Sequence, residues 1–343
     1  MNRVPPAPPF PATSADENAR FITDLCDLFA RRRQGHVDYW TYGSPQGPDD
    51  PVRGDEFWER FVLNHPAYYL PAAEAALIER FAADVARRCA EAVSLVDLGP
   101  GSLRAIETKT QPFLRHLPSI KRYVVVDASV HFRDEAARFA QAQGLALELS
   151  SEDFWSSLPI QSAPALLLMA GGTISNLCPP LPSTPVDEML AQALRHFRRS
   201  LRGGGWLLFP FDSNQDERSL ISAYDHPDFH AFNFSILHRA VRDLPTKGLD
   251  PRDFRAGLAW CAARHELQFF VETQRPCHPA IASQQFDLSA HEKFHLVSAY
   301  KYEKDLVSRA LHSAGFHSIE QHQLPGSPMV LCLARCEPLL GQR

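Results

Sequence analysis

Between Leu95 and Phe211, short runs of apolar residues alternate with longer segments in which apolar residues recur at helical spacing. Short, uninterrupted apolar runs, which are typical of parallel strands buried on both faces, cover residues 95–98, 123–126, the stretch before Ser150, 165–169 and 206–210. Between these runs apolar residues recur at helical spacing, most clearly over residues 185–201. This alternation predicts an α/β fold with a doubly wound parallel sheet.

The pattern is different before the first strand. Helical spacing begins near Asn18, and a second helix is predicted from the Leu70-Pro71 step, because proline fits the first turn of a helix. Residues 36–58, HVDYWTYGSPQGPDDPVRGDEFW, are aromatic and rich in turn formers. We interpret them as a loop that is either a lid or an ordered connection.

The alternation also stops after Phe211. Residues 213–300 are aromatic, polar and helical at first and then contain strand-like runs, before a helix over 305–313 and a last strand, MVLCLA. We therefore predict a flexible lead over 1–14, a sheet domain over 68–212 and 301–343, and a second domain over 15–67 and 213–300. A cleft between the two domains would face the carboxyl edge of the sheet.

The turn after the first predicted strand carries the clearest chemical signal. In SLVDLGPGSLRAIETKTQPFL the strand ends at Gly99-Pro100-Gly101, and a helix follows from Leu103. A parallel strand that ends in glycines and opens a helix leaves bare backbone N–H groups at the sheet edge, where nucleotides bind. The G-x-G-x-x-G fingerprint of dinucleotide sites is incomplete here, which favours S-adenosylmethionine as the cofactor.

Two later strand ends complete the predicted cofactor site. Asp127 follows the second strand, in position to accept hydrogen bonds from ribose hydroxyls. Asp153 and Phe154 follow the third strand, in position to contact the adenine amino group and ring. Polar and aromatic residues at three successive strand ends predict an adenosine that lies across the sheet.

Composition and charge exclude several other classes of protein. The chain has 343 residues, a net charge of −5 and a pI near 6.3, so it lacks the basic character of a nucleic-acid-binding protein. Its seven cysteines are scattered, without a C-x-x-C pair, which favours reduced thiols and a cytoplasmic location. Its proline-rich start has no continuous apolar stretch, so neither a signal peptide nor a membrane span is predicted.

The segment His291-Glu292-Lys293-Phe294-His295 fits the H-E-x-x-H motif of zinc proteases. That motif binds zinc only on a helix, with both histidines on one face. The surrounding FDLSAHEKFHLVSAYKY favours a strand, so we expect no metal site and interpret His295 as a packed or pocket-lining residue.

Several segments, taken in order, resemble those of the histidine-specific S-adenosylmethionine-dependent methyltransferases of the ergothioneine pathway and their fungal dimethylallyltryptophan N-methyltransferase relatives. These segments are YYLPAAEAALI, VDLGPGS, VVVDAS, EDFW, GGTISNL, AYDHPDFHAFNFSILHRAVRDL and HLVSAYKYEKD. The similarity runs from about Tyr39 to Ala334. It implies a Rossmann-like class I methyltransferase core with an inserted α+β substrate-binding domain.

The resemblance also implies roles for individual residues. Gly99, Gly101, Asp127 and Asp153-Phe154 match the cofactor-binding positions of the family. Asn176 and Tyr224 match the residues that hold the amino and carboxylate groups of the amino acid, although each also has a simpler interpretation, as a turn residue and as a packed aromatic. The substrate pocket implied in this way consists of Tyr42, Asn176, Tyr224, His295, Val297 and Ala299.

The chain departs from the family at the imidazole pocket. A glutamate and a serine that bind the histidine ring in the family are Val297 and Ala299 here. Losing the carboxylate together with its hydroxyl partner makes the pocket apolar without leaving a buried charge unpaired. Histidine is therefore not the expected substrate.

From these residues we expect an S-adenosylmethionine-dependent N-methyltransferase that acts on a small amino acid or an amino-acid-derived amine. The alternatives are an O-, S- or ring-N-methyltransferase of another small metabolite, and a catalytically silent accessory protein that binds the cofactor. Neither nucleic acid nor a membrane is an expected partner.

Overall fold

The computed structural model describes residues 14–31, 35, 37–43, 45–152, 154, 158–160, 164–177, 184–201 and 204–337. The expected lead lies outside these residues except for Ser14, which begins the first helix, and Asp153 lies outside them as well. The strands are β1 Ser94–Leu98, β2 Arg122–Val126, β3 Ala146–Ser150, β4 Ala165–Leu168, β5 Gly205–Asp212, β6 Thr246–Lys247, β7 Phe254–Cys261, β8 Glu266–Thr273, β9 Ala280–Ile281, β10 Gln284–Gln285, β11 Lys293–Tyr300, β12 His317–Gln323 and β13 Met329–Cys336.

Helices connect most of these strands. They are α1 Ser14–Phe29, α2 Gly54–Asn64, α3 Leu70–Arg88, α4 Leu103–Ala105, α5 Gln111–His116, α6 Val130–Gln143, α7 Thr173–Asn176, α8 Val186–Ser200, α9 Glu217–Tyr224, α10 Pro227–Asp243 and α11 Lys304–Ala314. A π-helical turn, Ile106–Thr110, joins α4 to α5.

Within the described residues, seven strands form the central sheet, in the order β12-β13-β5-β4-β1-β2-β3. The strands from β1 to β5 pair in parallel, and β13 pairs antiparallel with β5 and β12. The chain proceeds outward from β1 in both directions, as in a doubly wound sheet. The order confirms the predicted α/β, Rossmann-like class I core.

Apolar side chains cover both faces of this sheet. Residues of α3, α5 and α6 pack on one face and residues of α8 and α11 on the other. All five residues of β1 and all eight of β5 are buried. Burial on both faces is the reason why these strands appear in the sequence as uninterrupted apolar runs.

The segment between β5 and α11 forms α9, α10 and two small sheets, β10-β9-β6 and β11-β8-β7. A separate apolar core joins α1 to this segment through Phe21, Trp40, Leu237 and Phe294. The aromatic side chains on the other side of α10 and β8 belong instead to the core of the central sheet. The insertion and the sheet therefore share a continuous apolar contact.

Two sequence-based expectations were wrong in detail. Residues 36–58 were treated as a loop, but α2 begins at Gly54, and Asp38–Thr41 forms a 3₁₀ turn. The edge strand β12 was missed because half-exposed polar residues such as Gln321 and Gln323 fill it. An edge strand exposed to solvent lacks the apolar run that identifies a central one.

Among the described helices, none has the length and apolar composition that crossing a bilayer requires.

The close approach of β4 and β5 gives a prediction about stability. Gly205 has a φ of +149°, and a Cβ there would lie 2.2 Å from the carbonyl oxygen of Ala165. We expect Gly205→Ala to lower the free energy of unfolding by about 3 kcal/mol or more, because two backbones would have to separate. Urea denaturation measures the loss.

Gly144→Ala is the matched control. Gly144 ends α6 at a φ of +65°, with nothing within 4 Å of the added Cβ. Here only the backbone conformation is unfavourable, at about 1 kcal/mol. Equal losses at the two positions would contradict the steric explanation.

Candidate active site

A cavity of about 1440 Å³ opens at the carboxyl ends of the parallel strands. Its wall includes the turns that follow β1 and β4, and it extends to residues of α2, α10 and β11. The structure thus brings together residues that the sequence assigned to a cofactor and to a substrate. The predicted site residues in the wall are Gly99, Gly101, Asp127, Phe154, Tyr42, Asn176, Tyr224, Val297 and Ala299.

The glycine turn exposes backbone to the cavity. Gly99 and Gly101 have φ values of +66° and +73°, which residues with a Cβ adopt only at a cost. A Cβ at Gly99 would lie 3.3 Å from the ring of Phe154 and 3.4 Å from Oγ1 of Thr173. Gly99 therefore has little room for a side chain, whereas a Cβ at Gly101 would meet only Cβ of Ala105, at 3.9 Å, so the backbone there is open to the cavity.

Asp127 lies directly after β2 and is 7% exposed. Its carboxylate accepts hydrogen bonds from the backbone N–H of Ser129, at 2.9 Å, and of Gly101, at 3.4 Å. Burial raises the pKa of Asp127 to about 6, although these bonds and the charge of Arg133 oppose the shift. A carboxylate beside the glycine turn is suited to accept hydrogen bonds from a pair of ligand hydroxyls.

Phe154 forms part of the wall next to this turn. Nε2 of His196 lies 2.8 Å from the backbone oxygen of Phe154, so a proton on this nitrogen would hold the Phe154 backbone against α8. Met189 and Gln192 line the same region. An aromatic ring with apolar and amide neighbours suits a purine.

A buried ion pair also lines the cavity, next to the loop after β4. Nζ of Lys109 lies 2.9 Å from Oε2 of Glu74, and the backbone N–H of Gly171 donates to Oε1 of Glu74 at 2.7 Å. Lys109 lies in the π-helical turn, and such turns are frequent at functional sites. Lys109 provides a positive charge and Glu74 a negative one, so the pair suits a ligand that has both a carboxylate and an ammonium group.

The part of the cavity that faces the insertion is mainly apolar. Val297 and Ala299, on β11, are 5% and 3% exposed and present only hydrocarbon to it. Aromatic side chains from the N-terminal segment, α9, α10 and β8 surround them. These aromatic residues are Tyr42, Trp58, Tyr68, Tyr224, Phe229, Phe232 and Phe269.

Asn176 and Tyr224 lie at the ends of short helices in this wall. Asn176 ends α7, and its Nδ2 donates to the backbone oxygen of Ser298 at 3.0 Å, which fixes the amide relative to β11. Tyr224 ends α9, and its hydroxyl oxygen accepts a hydrogen bond from Nζ of Lys301 at 3.1 Å. Asn176 is therefore held by β11, the strand that carries Val297, and Tyr224 by the residue that directly follows this strand.

Behind Tyr224 lies an ion pair that is almost entirely shielded from solvent. Nζ of Lys301 is 3.0 Å from Oδ2 of Asp212, and each side chain is 1% exposed. The Tyr69 hydroxyl donates to the same carboxylate oxygen at 2.5 Å. Burial raises the pKa of both Tyr69 and Tyr224, so both hydroxyls keep their protons near neutral pH.

His295 is not among the described residues that line the cavity. Its Nε2 lies 3.0 Å from the carbonyl oxygen of Val297 and 3.1 Å from Oγ of Ser298, within β11. The pocket-lining role is therefore wrong for His295, whereas the packed role, also expected from the sequence, matches these contacts. The ring folds back over its own strand because the ladder is irregular between His295 and Val297.

The H-E-x-x-H segment is not helical. His291 lies in a turn with a φ of +62°, and β11 begins at Lys293, which confirms the strand favoured by the sequence. Nδ1 of His291 lies 3.2 Å from Oε1 of Glu272, on the neighbouring strand. The helical face that the zinc motif requires is not formed by these residues.

Several residues that the structure brings to the site were not predicted from the sequence. Tyr69, Glu74 and Lys109 line the cavity, and Lys301 and Asp212 lie behind its wall. Two of these had a signal: Lys301 directly follows the apolar run of β11, and Asp212 directly follows that of β5, so each places a charge at the end of a buried strand. Tyr69 and Glu74 lie in YYLPAAEAALI, one of the family-like segments, but the apolar pattern marks neither residue.

Comparisons with known proteins agree with the cofactor assignment. A family model described as histidine-specific methyltransferase, SAM-dependent, matches residues 49–336. The N-methyltransferase imqF of Aspergillus flavus is 23% identical over 270 residues, which cover 74% of this chain and 70% of that protein. The uncharacterized protein y4iF of Sinorhizobium fredii is 25% identical over 247 residues, which cover 68% and 77%.

A solved structure of an S-adenosylmethionine-dependent methyltransferase from Clostridium acetobutylicum superposes with a TM-score of 0.46 at 14% identity. The match covers 82% of this chain and 99% of that one.

The raised pKa of Asp127 predicts how cofactor binding changes with pH. In its predicted role the ionised carboxylate would accept hydrogen bonds from two hydroxyls, and protonation would remove part of that capacity. With a pKa of about 6, only about a tenth of the protein has this carboxylate ionised at pH 5. We expect S-adenosylhomocysteine to bind about tenfold more weakly at pH 5 than at pH 7.5, measured by calorimetry.

Asp127→Asn is the control for this titration. The variant should bind S-adenosylhomocysteine weakly at both pH values, because its amide does not titrate. A wild-type affinity that stays constant from pH 7.5 to pH 5 would contradict the assigned role of Asp127.

Proposed function

The chain belongs to the family of histidine-specific, S-adenosylmethionine-dependent methyltransferases, and on that premise we propose that it methylates the nitrogen of an amino acid or amino-acid-derived amine other than histidine. The observation that carries this proposal is the continuity of the cavity. It runs from the glycine turn and Asp127 to an apolar, aromatic wall around Val297 and Ala299.

The residues at the strand ends fit S-adenosylmethionine. Asp127 would accept hydrogen bonds from the ribose hydroxyls, and Phe154 would contact the adenine. The Gly99-to-Gly101 backbone would pass close to the ligand, and Lys109 with Glu74 would pair with the carboxylate and ammonium of its amino-acid end. When bound, S-adenosylmethionine supplies a methyl group on a positively charged sulfur, which is an activated donor.

Since the donor is already activated, the protein's own task is to hold the acceptor nitrogen. Asn176 and Tyr224 would orient the polar head group of the substrate, and the aromatic wall would exclude water and so keep the amine unprotonated. Segments 15–67 and 213–300 would together serve as the substrate-binding domain, because both contribute side chains to that wall.

The pocket supports a substrate without an imidazole. Val297 and Ala299 offer no partner to a ring nitrogen, and an unpaired ring nitrogen in an apolar wall is unfavourable. A carboxylate and a hydroxyl do exist nearby, in Glu266 and Ser298, but Oγ of Ser298 donates to Oε1 of Glu266 at 2.6 Å and neither residue is in the cavity wall. Successive residues of a strand face opposite sides, which directs Ser298 away from Val297 and Ala299.

Similarity to imqF, which is named an N-methyltransferase, supports nitrogen as the acceptor. A panel of substrates distinguishes this acceptor from oxygen, sulfur or a ring nitrogen, the acceptors of the alternative methyltransferases.

The pocket predicts the outcome of a substrate panel. The protein should turn over an amine with an apolar or aromatic side chain, and should methylate free histidine at least about 10⁴-fold less efficiently, because the site lacks partners for the ring. Val297→Glu with Ala299→Ser should recover part of the histidine activity. Release of S-adenosylhomocysteine reports turnover, and thermal unfolding reports the cost of the new buried carboxylate.

Val297→Gln with Ala299→Ser is the matched control, since it has nearly the same shape without the charge and should recover less. Efficient methylation of histidine by the natural sequence would show that this interpretation of the pocket is wrong. Turnover of hydroxyl, thiol or ring-nitrogen acceptors alone would favour those methyltransferase alternatives. Cofactor binding without any turnover would favour the accessory-protein alternative.

A further inference from the structure

One polar side chain lies among the aromatic residues that α10 contributes to the cavity wall. Asn233 follows Phe229 and Phe232 at helical spacing, so the three residues share one face of the helix. All three line the cavity, and Asn233 is 2% exposed. The ring centroid of Phe232 lies 5.0 Å from that of Tyr42 and 5.3 Å from that of Trp58. Asn233 therefore places an amide in a mainly aromatic part of the wall.

Only one half of this amide has a partner. Nδ2 of Asn233 donates to the backbone oxygen of Phe229 at 3.0 Å, one turn back along α10. No donor among the described residues reaches Oδ1 of Asn233, although this oxygen is buried. Because Nδ2 is directed at the preceding turn, Oδ1 lies on the other branch of the amide, away from that turn. A buried carbonyl oxygen without a donor is unfavourable, so its place in the wall of a cavity calls for a ligand group that supplies the donor.

The helix itself does not require an asparagine at this position. The backbone oxygen of Phe229 is already the acceptor for a backbone N–H one turn later in a regular helix, so the bond from Nδ2 is an additional one. Ser235 makes the same kind of contact on the same helix, with its Oγ donating to the backbone oxygen of Ala231 at 3.0 Å, but it is not among the described residues of the wall. A leucine at position 233 would have the same branching and leave no oxygen unsatisfied.

We propose that Oδ1 of Asn233 accepts a hydrogen bond from an N–H or O–H group on the side chain of the substrate. The inference rests on the proposed function and deepens it, because it selects, among amines with an aromatic side chain, those whose ring carries a donor. A carbonyl oxygen can only accept, so a ring with a methyl group or a sulfur in place of the donor would leave it unpaired. A neutral imidazole would still lack a partner for its second nitrogen, because Val297 and Ala299 offer none.

The test compares ligands that differ only in the donor. Tyramine is paired with 4-methylphenethylamine, and tryptamine with its benzothiophene analogue, in which sulfur replaces the ring N–H; the corresponding amino acids form two further pairs. Calorimetry measures binding to the complex of the wild-type chain with S-adenosylhomocysteine, so the result does not depend on turnover. In at least one pair the ligand with the donor should bind about tenfold more tightly than the ligand without it.

Asn233→Leu assigns this preference to its side chain. The variant should bind the two members of the pair equally, because the ligand with the donor loses its acceptor. Its affinity for S-adenosylhomocysteine and its unfolding temperature should stay close to those of the wild-type chain, because the oxygen that is removed has no partner in the free protein. A residue needed only for the helix would give the opposite result, with a lower unfolding temperature and an unchanged preference.

Two further variants keep the test decisive. Ser235→Ala is the matched control, since it removes a side-chain bond of the same kind from the same helix but outside the described cavity wall, and it should leave the preference unchanged. Asn233→Ala removes the acceptor without the larger methyl groups of leucine, and it should lose the preference as Asn233→Leu does. Loss of the preference in Asn233→Leu alone would assign the effect to added bulk and contradict the inference.

The inference would also be wrong if the wild-type chain bound no ligand with a donor more tightly than its paired analogue, or if the preference persisted in both Asn233 variants. Turnover of amines without this preference would overturn the inference and keep the methyltransferase proposal. Donor-dependent binding that is lost in both variants, without methylation of any nitrogen, would keep the assignment of Asn233 and contradict the proposed function.

Discussion

The buried ion pair between Lys301 and Asp212 is the interaction on which the geometry of the site depends. Asp212 ends the central strand β5, and Lys301 follows the last residue of β11 in the insertion. Removing one partner would leave the other as an unpaired charge in an apolar setting, at a cost of about 3–5 kcal/mol. The pair therefore joins the end of the insertion to the sheet, directly behind Tyr69 and Tyr224 in the cavity wall.

The half of the cavity that we assign to the cofactor could be predicted from the sequence because its signals are local. Each strand end contributes one short signal, and the order of parallel strands brings those signals to one edge of the sheet. Gly99, Gly101 and Asp127 were found in this way, since a glycine turn and a carboxylate after an apolar run are visible within a few residues. Glu74 and Lys109 escaped because their pairing joins α3 to a π-helical turn, and neither residue interrupts a helical pattern.

The substrate half could be predicted only in part, because its wall is assembled from distant segments. Val297 and Ala299 were recognised through a departure from a familiar motif, whereas Trp58 and Phe269 are aromatic residues of the kind that also fill ordinary cores. His295 was misplaced since an irregular step in the ladder turns its ring over its own strand. Irregularities of this kind change the direction of one side chain and leave no trace in an apolar-polar pattern.

The position of the last strand has a consequence for how the chain is made. β13 lies between β5 and β12, with Met329 opposite Asp212, so one edge of β5 finds its partner only after more than a hundred further residues. During synthesis from the N-terminus, the eight buried residues of β5 would have one edge without hydrogen-bonding partners until β13 has been made. Such an edge favours pairing with other chains, so the incomplete chain is prone to aggregation during that interval.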